Sequence, residues 1–241
     1  MKSSRIFAAA SVTVLLAMAA PATAAVTTAP AARTTVTTTD AGTTAATAST
    51  HNQPADLSEC SAAFFDGDPR LGPAQLPVLG VVGIELTGYR RTGGLSPAAF
   101  LAQYYNPAAN GGSGGWIYPP DNGYVIGPNG QPVEWQERLR PGQQIDRYGS
   151  EYGSFLAPAG SLYSERSIPP QSLDSTPPAT CNYHDYRVLK DFTVDAGPVA
   201  PWFAQPGLGR QYQLDASLIP GAPATVNVMW LINNGYLDRV A

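Results

Sequence analysis

The sequence predicts an α+β fold: a single domain with a small, twisted, mainly antiparallel β-sheet, short peripheral helices and a long irregular N-terminal arm. Apolar and polar residues alternate in short runs that end at turn sequences, which is typical of antiparallel strands. Helical spacing is confined to two short stretches. The 241 residues also include 24 glycines and 23 prolines, which interrupt the chain too often for long elements.

Residues 1–24 have the three parts of a secretory signal peptide. The basic residues Lys2 and Arg5 come first, an apolar run covers residues 6–20, and the small residues at 22–24 form a cleavage sequence. The apolar run is shorter than a comfortable membrane-spanning helix. We therefore expect a secreted, extracellular protein with no membrane partner, and a retained N-terminal anchor is the alternative.

The balance of charge bears on the class of ligand. Loss of Lys2 and Arg5 with the signal peptide makes the net charge of −4 more negative by two. Such an acidic chain disfavours general nucleic-acid binding, so no nucleic-acid partner is expected. Because Lys190 is then the only lysine, arginine carries nearly all the positive charge. This usage suits fixed recognition of anions, although a bias of genomic base composition would produce it too.

Composition also divides the chain into segments. Residues 25–50 contain 11 threonines and 8 alanines, and such a stretch buries too little apolar area to offset its ordering entropy. We predict a disordered linker over residues 25–57, an N-terminal arm with a short helix over 58–115, and the main domain over 116–241. The arm at 64–73 is interrupted by proline and glycine and should wrap rather than pair.

Cys60 and Cys181 are the only cysteines of the chain. In an exported protein an even number of cysteines is most often paired, which predicts one disulfide. A reactive thiol is the alternative, and His184 near Cys181 is as easily structural as functional.

Two helices are expected. The first begins at Ser96, whose hydroxyl suits a helix cap, with Pro97 at the first helical position, and it ends before Pro107. Its apolar face carries Phe100, Leu101, Tyr104 and Tyr105. The second is short, is capped by Thr225 and ends at residues 233–235.

The remaining elements are expected to be strands. Strand fragments at 116–118, 124–126 and 133–135 alternate with turn sequences and indicate a β-meander. The clearest alternation predicts one half-buried strand over 185–194. Further strands are expected at residues 144–148, 153–156, 207–214 and 236–240.

The stretch from Asp146 to Arg166 concentrates the residues suited to bind a planar anion. Arg147 and Arg166 lie there among aromatic residues and glycines, and guanidinium groups bind phosphate in a forked geometry while rings stack on planar groups. Its acids, Asp146, Glu151 and Glu165, could form a catalytic carboxylate pair. Pairing with the two arginines is their more ordinary role.

Familiar catalytic signatures are missing from the sequence, including those of serine hydrolases, zinc proteases, phosphate loops and dinucleotide-binding folds. His184 is the only histidine in the predicted domain. A histidine-based metal site or a Ser-His-Asp triad is therefore not expected.

Several longer motifs resemble the tuberculosis necrotizing toxin (TNT) domain family and occur in that family's order. They are RYGSEYGSFLAP at residues 147–158, Tyr, Arg, Ser and two prolines within YSERSIPP at 163–170, YHDY at 183–186, GPVAPWF at 197–203 and GYL at 235–237. Two more, GDPRLGP at 67–73 and YPPDNG at 118–123, resemble secreted fungal NAD glycohydrolases of the same family. The resemblance covers about residues 67–240, essentially the whole folded part of the chain, and identifies residues 116–241 as TNT-type.

The resemblance implies an activity and a set of site residues. Family members hydrolyse the nicotinamide–ribose bond of NAD, and usually of NADP, without a metal at the chemical step. By this likeness Arg147, Arg166 and Gln211 are catalytic. The substrate-binding positions that it implies are Tyr148, Phe155 and His184.

Cofactors and partners follow from the same resemblance. No cofactor is implied, because NAD and NADP are substrates. Fungal members bind calcium through C-terminal residues, but this chain ends at Ala241 soon after its last predicted strand, so no metal site is carried over. Toxin members often need an immunity or inhibitor protein, and a homodimer stays open.

Two other functions compete with glycohydrolase activity. A catalytically inactive secreted module could use the same pocket for a nucleotide or a protein partner, since folds outlive activities. ADP-ribosyl transfer to a protein usually needs a glutamate beside the ribose, and no such motif is evident.

Overall fold

A computed structural model describes residues 56–240 of the chain. The predicted signal peptide, and the predicted linker as far as residue 55, lie outside the described residues. Within the described part, no helix is both long and apolar enough to cross a membrane.

The described chain is built on an antiparallel sheet, as the α+β prediction requires. Seven of its strands pair in the order β3-β7-β8-β5-β4-β6-β9, and a separate two-stranded ribbon joins β1 to β2. The strands are β1 (Tyr105–Asn106), β2 (Gly115–Trp116), β3 (Trp135–Leu139), β4 (Gln144–Tyr148), β5 (Phe155–Pro158), β6 (Tyr183–Val188), β7 (Phe192–Pro198), β8 (Arg210–Gln213) and β9 (Leu237–Arg239). Every pair among them is antiparallel.

The sheet must curl, because a short connection joins two strands that are far apart in it. β6 ends at Val188 and β7 begins at Phe192, and four residue steps span at most about 14 Å. The two strands are four positions apart in the sheet order, which in a flat sheet would separate them by about 19 Å. Only a curled sheet brings the end of β6 close enough to the start of β7.

This geometry corrects two predictions of strands. The single strand predicted over 185–194 is wrong, since the break in its alternation at Leu189 and Lys190 belongs to the connection between β6 and β7. The β-meander is wrong at its first link, because Trp116 pairs with Tyr105 rather than with the next fragment, whereas Ile126 does form an antiparallel bridge to Pro132. Local alternation indicated the buried faces correctly but carried no information about which strand lies beside which.

The described α-helices are short, with four to eight residues each. They are α1 (Gly80–Glu85), α2 (Pro97–Tyr104), α3 (Ala109–Gly112) and α4 (Val228–Asn233). The Ser96 hydroxyl accepts a hydrogen bond from Ala99 N at 3.2 Å, which confirms the predicted cap of α2. The cap of α4 was predicted wrongly: Asn227, not Thr225, accepts from Trp230 N at 2.9 Å. An asparagine directly before the first helical turn makes the better cap.

The two faces of the sheet have different roles. One face carries Ile145, Leu156, Tyr186 and Tyr212, which are buried and pack with residues of α4 in the largest core cluster. By alternation, Asp146, Tyr148, Phe155 and Gln211 belong to the opposite face. One face of the sheet therefore packs in the main core, and the other face carries the candidate site residues.

A disulfide and a second core cluster attach the N-terminal segment to this opposite face. Cys60 and Cys181 are bonded, with 5.3 Å between their α-carbons, which confirms the predicted pairing. Around them Leu86, Tyr148 and Tyr163 are buried together. Since α1 ends immediately before Leu86, this packing places the end of α1 against β4 on that opposite face.

Candidate active site

A cavity of about 540 Å³ opens on the face of the sheet opposite the main core. Its walls come from β4, β5 and β8, from the segment at residues 166–172, and from the loop at residues 118–123. A smaller recess of about 60 Å³ adjoins it and is also lined by Asp146. The larger volume falls in the range of cavities that hold small molecules and cofactors.

The sheet order explains why residues that are distant in sequence meet here. β5 lies between β4 and β8, and the ladder pairs Leu156 with Tyr212 and Asp146 with Ala157. Gln211 therefore lies one strand away from Ala157 on the same face as Asp146. Phe155, two residues before Ala157, shares that face.

The structure brings five of the six predicted site residues to this cavity: Arg147, Tyr148, Phe155, Arg166 and Gln211 all line it. His184 does not. It pairs with Arg147 across the β4–β6 ladder, and its ring nitrogens lie 3.3 Å from Asn182 Oδ1 and 3.9 Å from Glu151 Oε1. Burial lowers the pKa of His184 below its ordinary value, which favours the neutral ring.

Arg147 reaches the cavity around the end of β5. Its Nε donates to Ser150 O at 2.7 Å and its Nη1 to Phe155 O at 2.6 Å. A β-carbon at Gly153 would collide with the guanidinium, so glycine there leaves room for the side chain. Burial lowers the pKa of Arg147 without neutralising it. Within residues 56–240 no carboxylate forms an ion pair with Arg147.

Unlike Arg147, Arg166 forms ion pairs within the described chain, and its two partners are buried carboxylates. Its Nη2 donates to Asp146 Oδ2 at 2.8 Å and to Glu85 Oε2 at 3.1 Å, and its Nη1 bonds the other Asp146 oxygen. The Ser161 carbonyl accepts from Nη2 at 2.8 Å. The Asp146 pairing confirms the predicted role of that acid. The guanidinium is nearly buried, so it offers the cavity little beyond its remaining N–H.

Glu85 is the residue that sequence reasoning missed. It is fully buried at the end of α1. Burial, followed by repulsion from Asp146, raises the pKa of Glu85 to about 7, while Arg166 and the Tyr148 hydroxyl oppose the rise. The sequence indicates it only weakly: Glu85 is the only charged residue between Arg70 and Arg90, in an otherwise uncharged segment.

Gln211 connects the sheet to the loop that forms the opposite wall. Its Nε2 donates to Asn122 O at 2.9 Å, which leaves the carboxamide oxygen available at the cavity. The other acids of the predicted pair are elsewhere: Glu151 bonds Arg239 and the Tyr186 hydroxyl rather than Arg147, and Glu165 forms no ion pair in the described chain.

The chemistry of the site is set by these groups. No set of three or more histidine, cysteine, aspartate or glutamate side chains is gathered as a metal site would be anywhere in residues 56–240. The cavity instead offers one uncompensated guanidinium, one compensated guanidinium, a carboxamide, and the rings of Tyr148 and Phe155. Such a set can hold a phosphate-bearing ligand at one place and a planar ring at another.

Comparisons with known proteins agree with the motifs. The profile of the family described as tuberculosis necrotizing toxin (TNT) matches residues 138–240. The conidial surface nicotinamide adenine dinucleotide glycohydrolase nadA of Aspergillus fumigatus is 44% identical over 178 residues, which cover 73% of this chain and 71% of that protein.

Two solved structures are also similar. Tuberculosis necrotizing toxin, in a complex with its immunity factor IFT, has 20% identity and a TM-score of 0.45, covering 78% of this chain and 87% of that one. Rhs1-CT, in a complex with its cognate immunity protein RhsI1, has 13% identity and a TM-score of 0.28, covering 45% of this chain and 77% of that one.

Proposed function

Because this chain belongs to the tuberculosis necrotizing toxin family, we propose that it is an NAD(P)⁺ glycohydrolase. The reaction hydrolyses the nicotinamide–ribose bond and gives nicotinamide and ADP-ribose. One observation carries the proposal: Arg147, Arg166 and Gln211, which lie on separate elements, line one cavity with Tyr148 and Phe155.

The reaction makes limited demands on the protein. Nicotinamide leaves a cationic ring as a neutral molecule, so the leaving group needs no strong acid. Water then adds to the ribosyl carbon and loses a proton to solvent. The protein must orient the dinucleotide, accept the departing ring and stabilise a cationic ribosyl centre.

Arg147 is the group best suited to anchor the pyrophosphate. Its Nε and one N–H of Nη1 are fixed by backbone carbonyls, which orients the guanidinium and leaves Nη2 for the ligand. Since it has no ion-pair partner in residues 56–240, its charge is available to a phosphate. Phe155 and Tyr148 lie beside it and form the place for the nicotinamide ring.

Arg166 and Gln211 are suited to the ribose. A cationic transition state would be repelled by a free guanidinium, but Asp146 compensates the charge of Arg166, and Glu85 also pairs with it. Arg166 can then donate a hydrogen bond without opposing the developing charge. The carboxamide oxygen of Gln211 can accept from a ribose hydroxyl, because its nitrogen is already bonded to Asn122.

Location and partners belong to the same proposal. The Cys60–Cys181 disulfide is typical of an oxidising compartment, and it supports a secreted enzyme that depletes extracellular NAD. An immunity or inhibitor protein, and a homodimer, stay predictions.

Nicotinamide release, followed by liquid chromatography with NAD or NADP and with or without a chelator, tests the proposal. We expect Gln211→Ala to lower kcat by at least about tenfold, the effect of one hydrogen bond that strengthens in the transition state. Gln213→Ala, on the same strand but outside the cavity, is the matched control and should keep the parental rate. A folded Gln211→Ala variant with the parental rate would show that the assignment is wrong.

The same assay separates the competing functions. A parental protein that binds ADP-ribose but releases no nicotinamide would be an inactive binding module. Mass spectrometry of candidate target proteins incubated with NAD would reveal an added ADP-ribose if the enzyme were a transferase.

A further inference from the structure

We propose that Glu85 is a positioning residue of the active site: it fixes the Arg166 guanidinium and the Tyr148 hydroxyl, and proton uptake by Glu85 loosens both and lowers activity. The inference rests on the proposed function, since its main readout is NAD cleavage. Glu85 lies outside residues 138–240, the part that the family profile matches. The N-terminal segment would then be a working part of the site.

The contacts of Glu85 support a positioning role. Its Oε2 accepts from the Tyr148 hydroxyl at 2.9 Å and from Arg166 Nη2 at 3.1 Å, and its Oε1 accepts from Gly160 N at 3.2 Å. One carboxylate oxygen therefore joins two cavity side chains. A glutamine cannot reproduce all three contacts, because it has a single acceptor oxygen and its amide nitrogen would face the Gly160 N–H donor.

The charge balance suggests that Glu85 does more than fill space. Asp146 already bonds Arg166 through both of its oxygens, so the charge of the arginine is matched without Glu85. A second buried carboxylate leaves the cluster with an excess negative charge, which is unfavourable for folding. Groups kept at such a disadvantage cluster at functional sites.

Protonation of Glu85 would disturb Arg166 through Asp146. Gly160 N donates to Glu85 Oε1 and to Asp146 Oδ2, both at 3.2 Å, so the two carboxyl groups are neighbours. A protonated Glu85 donates a hydrogen bond to Asp146, and this bond occupies an acceptor site that holds Arg166. Arg166 loses part of its support, and the Tyr148 hydroxyl loses a charged acceptor.

The groups that face Glu85 explain why it is the carboxyl that takes up a proton near neutral pH. The groups facing it are Asp146 and Tyr148 of β4, Tyr183 of β6, and Arg166. Burial raises the pKa of both tyrosines above their ordinary value. Burial alone would lower the pKa of Arg166, but the hydrogen bonds and charge of Asp146 raise it overall. The pKa of Glu85 itself is about 7.

The pH profile of kcat between pH 5 and 9 tests this role. We expect the parental kcat to rise through an inflection near the pKa of Glu85, about 7, and to be about a hundredfold below its plateau two pH units lower. Glu85→Gln should have a flat profile near the low acid value, because glutamine does not titrate.

Asp174→Asn is the matched control. Asp174 is another carboxyl whose pKa is raised by burial, to about 6, and it does not line the cavity. This variant should keep the parental inflection. A folded Glu85→Gln variant with the parental profile, or loss of the inflection in Asp174→Asn, would overturn the inference.

Tyr148→Phe provides a second test for the case in which Glu85→Gln does not fold. The Tyr148 hydroxyl stabilises the ionised form of Glu85, so its removal should move the inflection to higher pH by about one unit or more, whatever happens to kcat. An unmoved inflection would overturn the inference.

Calorimetric binding of ADP-ribose separates this inference from the proposed function. If the parental protein cleaves no NAD but binds ADP-ribose with an affinity that depends on pH, and Glu85→Gln removes that dependence, the function fails and the role of Glu85 stands. A parental protein that neither cleaves NAD nor binds ADP-ribose would overturn both.

Discussion

Replacing Glu85 by glutamine should change how the stability of this protein depends on pH, even without substrate. Glu85 is fully buried, and its pKa is raised in the folded state from about 4.5 to about 7. The folded protein therefore holds a proton on Glu85 in a pH range where the unfolded chain has released it. This difference links folding to pH.

The sign and the size follow from the two pKa values. A raised carboxyl pKa contributes stability that is complete below the unfolded value near 4.5 and is lost as pH rises through the folded value of about 7. A shift of this size corresponds to about 3 kcal/mol. For a domain of this length, that is about 6–12 °C in Tm.

Urea unfolding of the parental protein and of Glu85→Gln, at intervals from pH 4 to 8.5, measures the effect. Glutamine does not titrate, so the difference in unfolding free energy between the two proteins isolates Glu85. Hydrogen bonds lost in the variant add a constant offset. The Asp174 carboxyl and His184 titrate equally in both proteins and cancel in the difference.

We expect the parental protein to lose about 3 kcal/mol relative to Glu85→Gln between pH 4.5 and 8, with most of the loss complete near pH 7. A difference that stays constant over this range would refute the reasoning. It would mean that Glu85 has an ordinary pKa in the folded protein and that its buried charge is fully compensated.

Two further predictions concern the substrate anchor and the disulfide. Arg147→Ala should raise the KM for NAD about 10- to 100-fold, since a charge-assisted hydrogen bond contributes about 1.5–3 kcal/mol, and Gly153→Ala should act in the same direction by displacing the guanidinium. Arg138→Ala, which removes an exposed arginine outside the cavity, is the control, and equal KM values for the two arginine variants would contradict the anchor role. Replacing Cys60 and Cys181 by serine should lower the unfolding free energy by about 5 kcal/mol, because the bond closes a loop of 121 residues; an unchanged urea midpoint would contradict this estimate.

Local chemistry in the sequence was sufficient for several features. The alternation of apolar residues predicted an antiparallel sheet with half-buried strands, and β4, β8 and β9 lie where it indicated. The Ser96-Pro97 pair predicted the start of α2, and the even cysteine count predicted the disulfide. Each of these signals depends on residues that are neighbours in the chain, or on redox chemistry that is independent of the fold.

Part of the candidate site could also be predicted from the sequence. Local chemistry indicated Arg147 and Arg166, family motifs added Gln211, and the structure brings all three to one cavity. The ion-pair partners of the charged residues were harder to predict from the sequence. Glu151 was expected beside Arg147 or Arg166 but bonds Arg239, because the β6–β9 ladder places Arg239 opposite Tyr186, whose hydroxyl also bonds Glu151.

By itself the sequence determined the class of fold, the covalent link and the residue types that can bind an anionic dinucleotide. Only the tertiary structure decided that the alternating run at residues 185–194 is two strands, that Asp146 compensates the charge of Arg166, and that Glu85 is a second carboxylate bonded to the same guanidinium. The physical reason is common to all three. Each depends on the curl and register of the sheet, which place side chains from distant segments within hydrogen-bonding distance, and periodicity along the chain does not encode those distances.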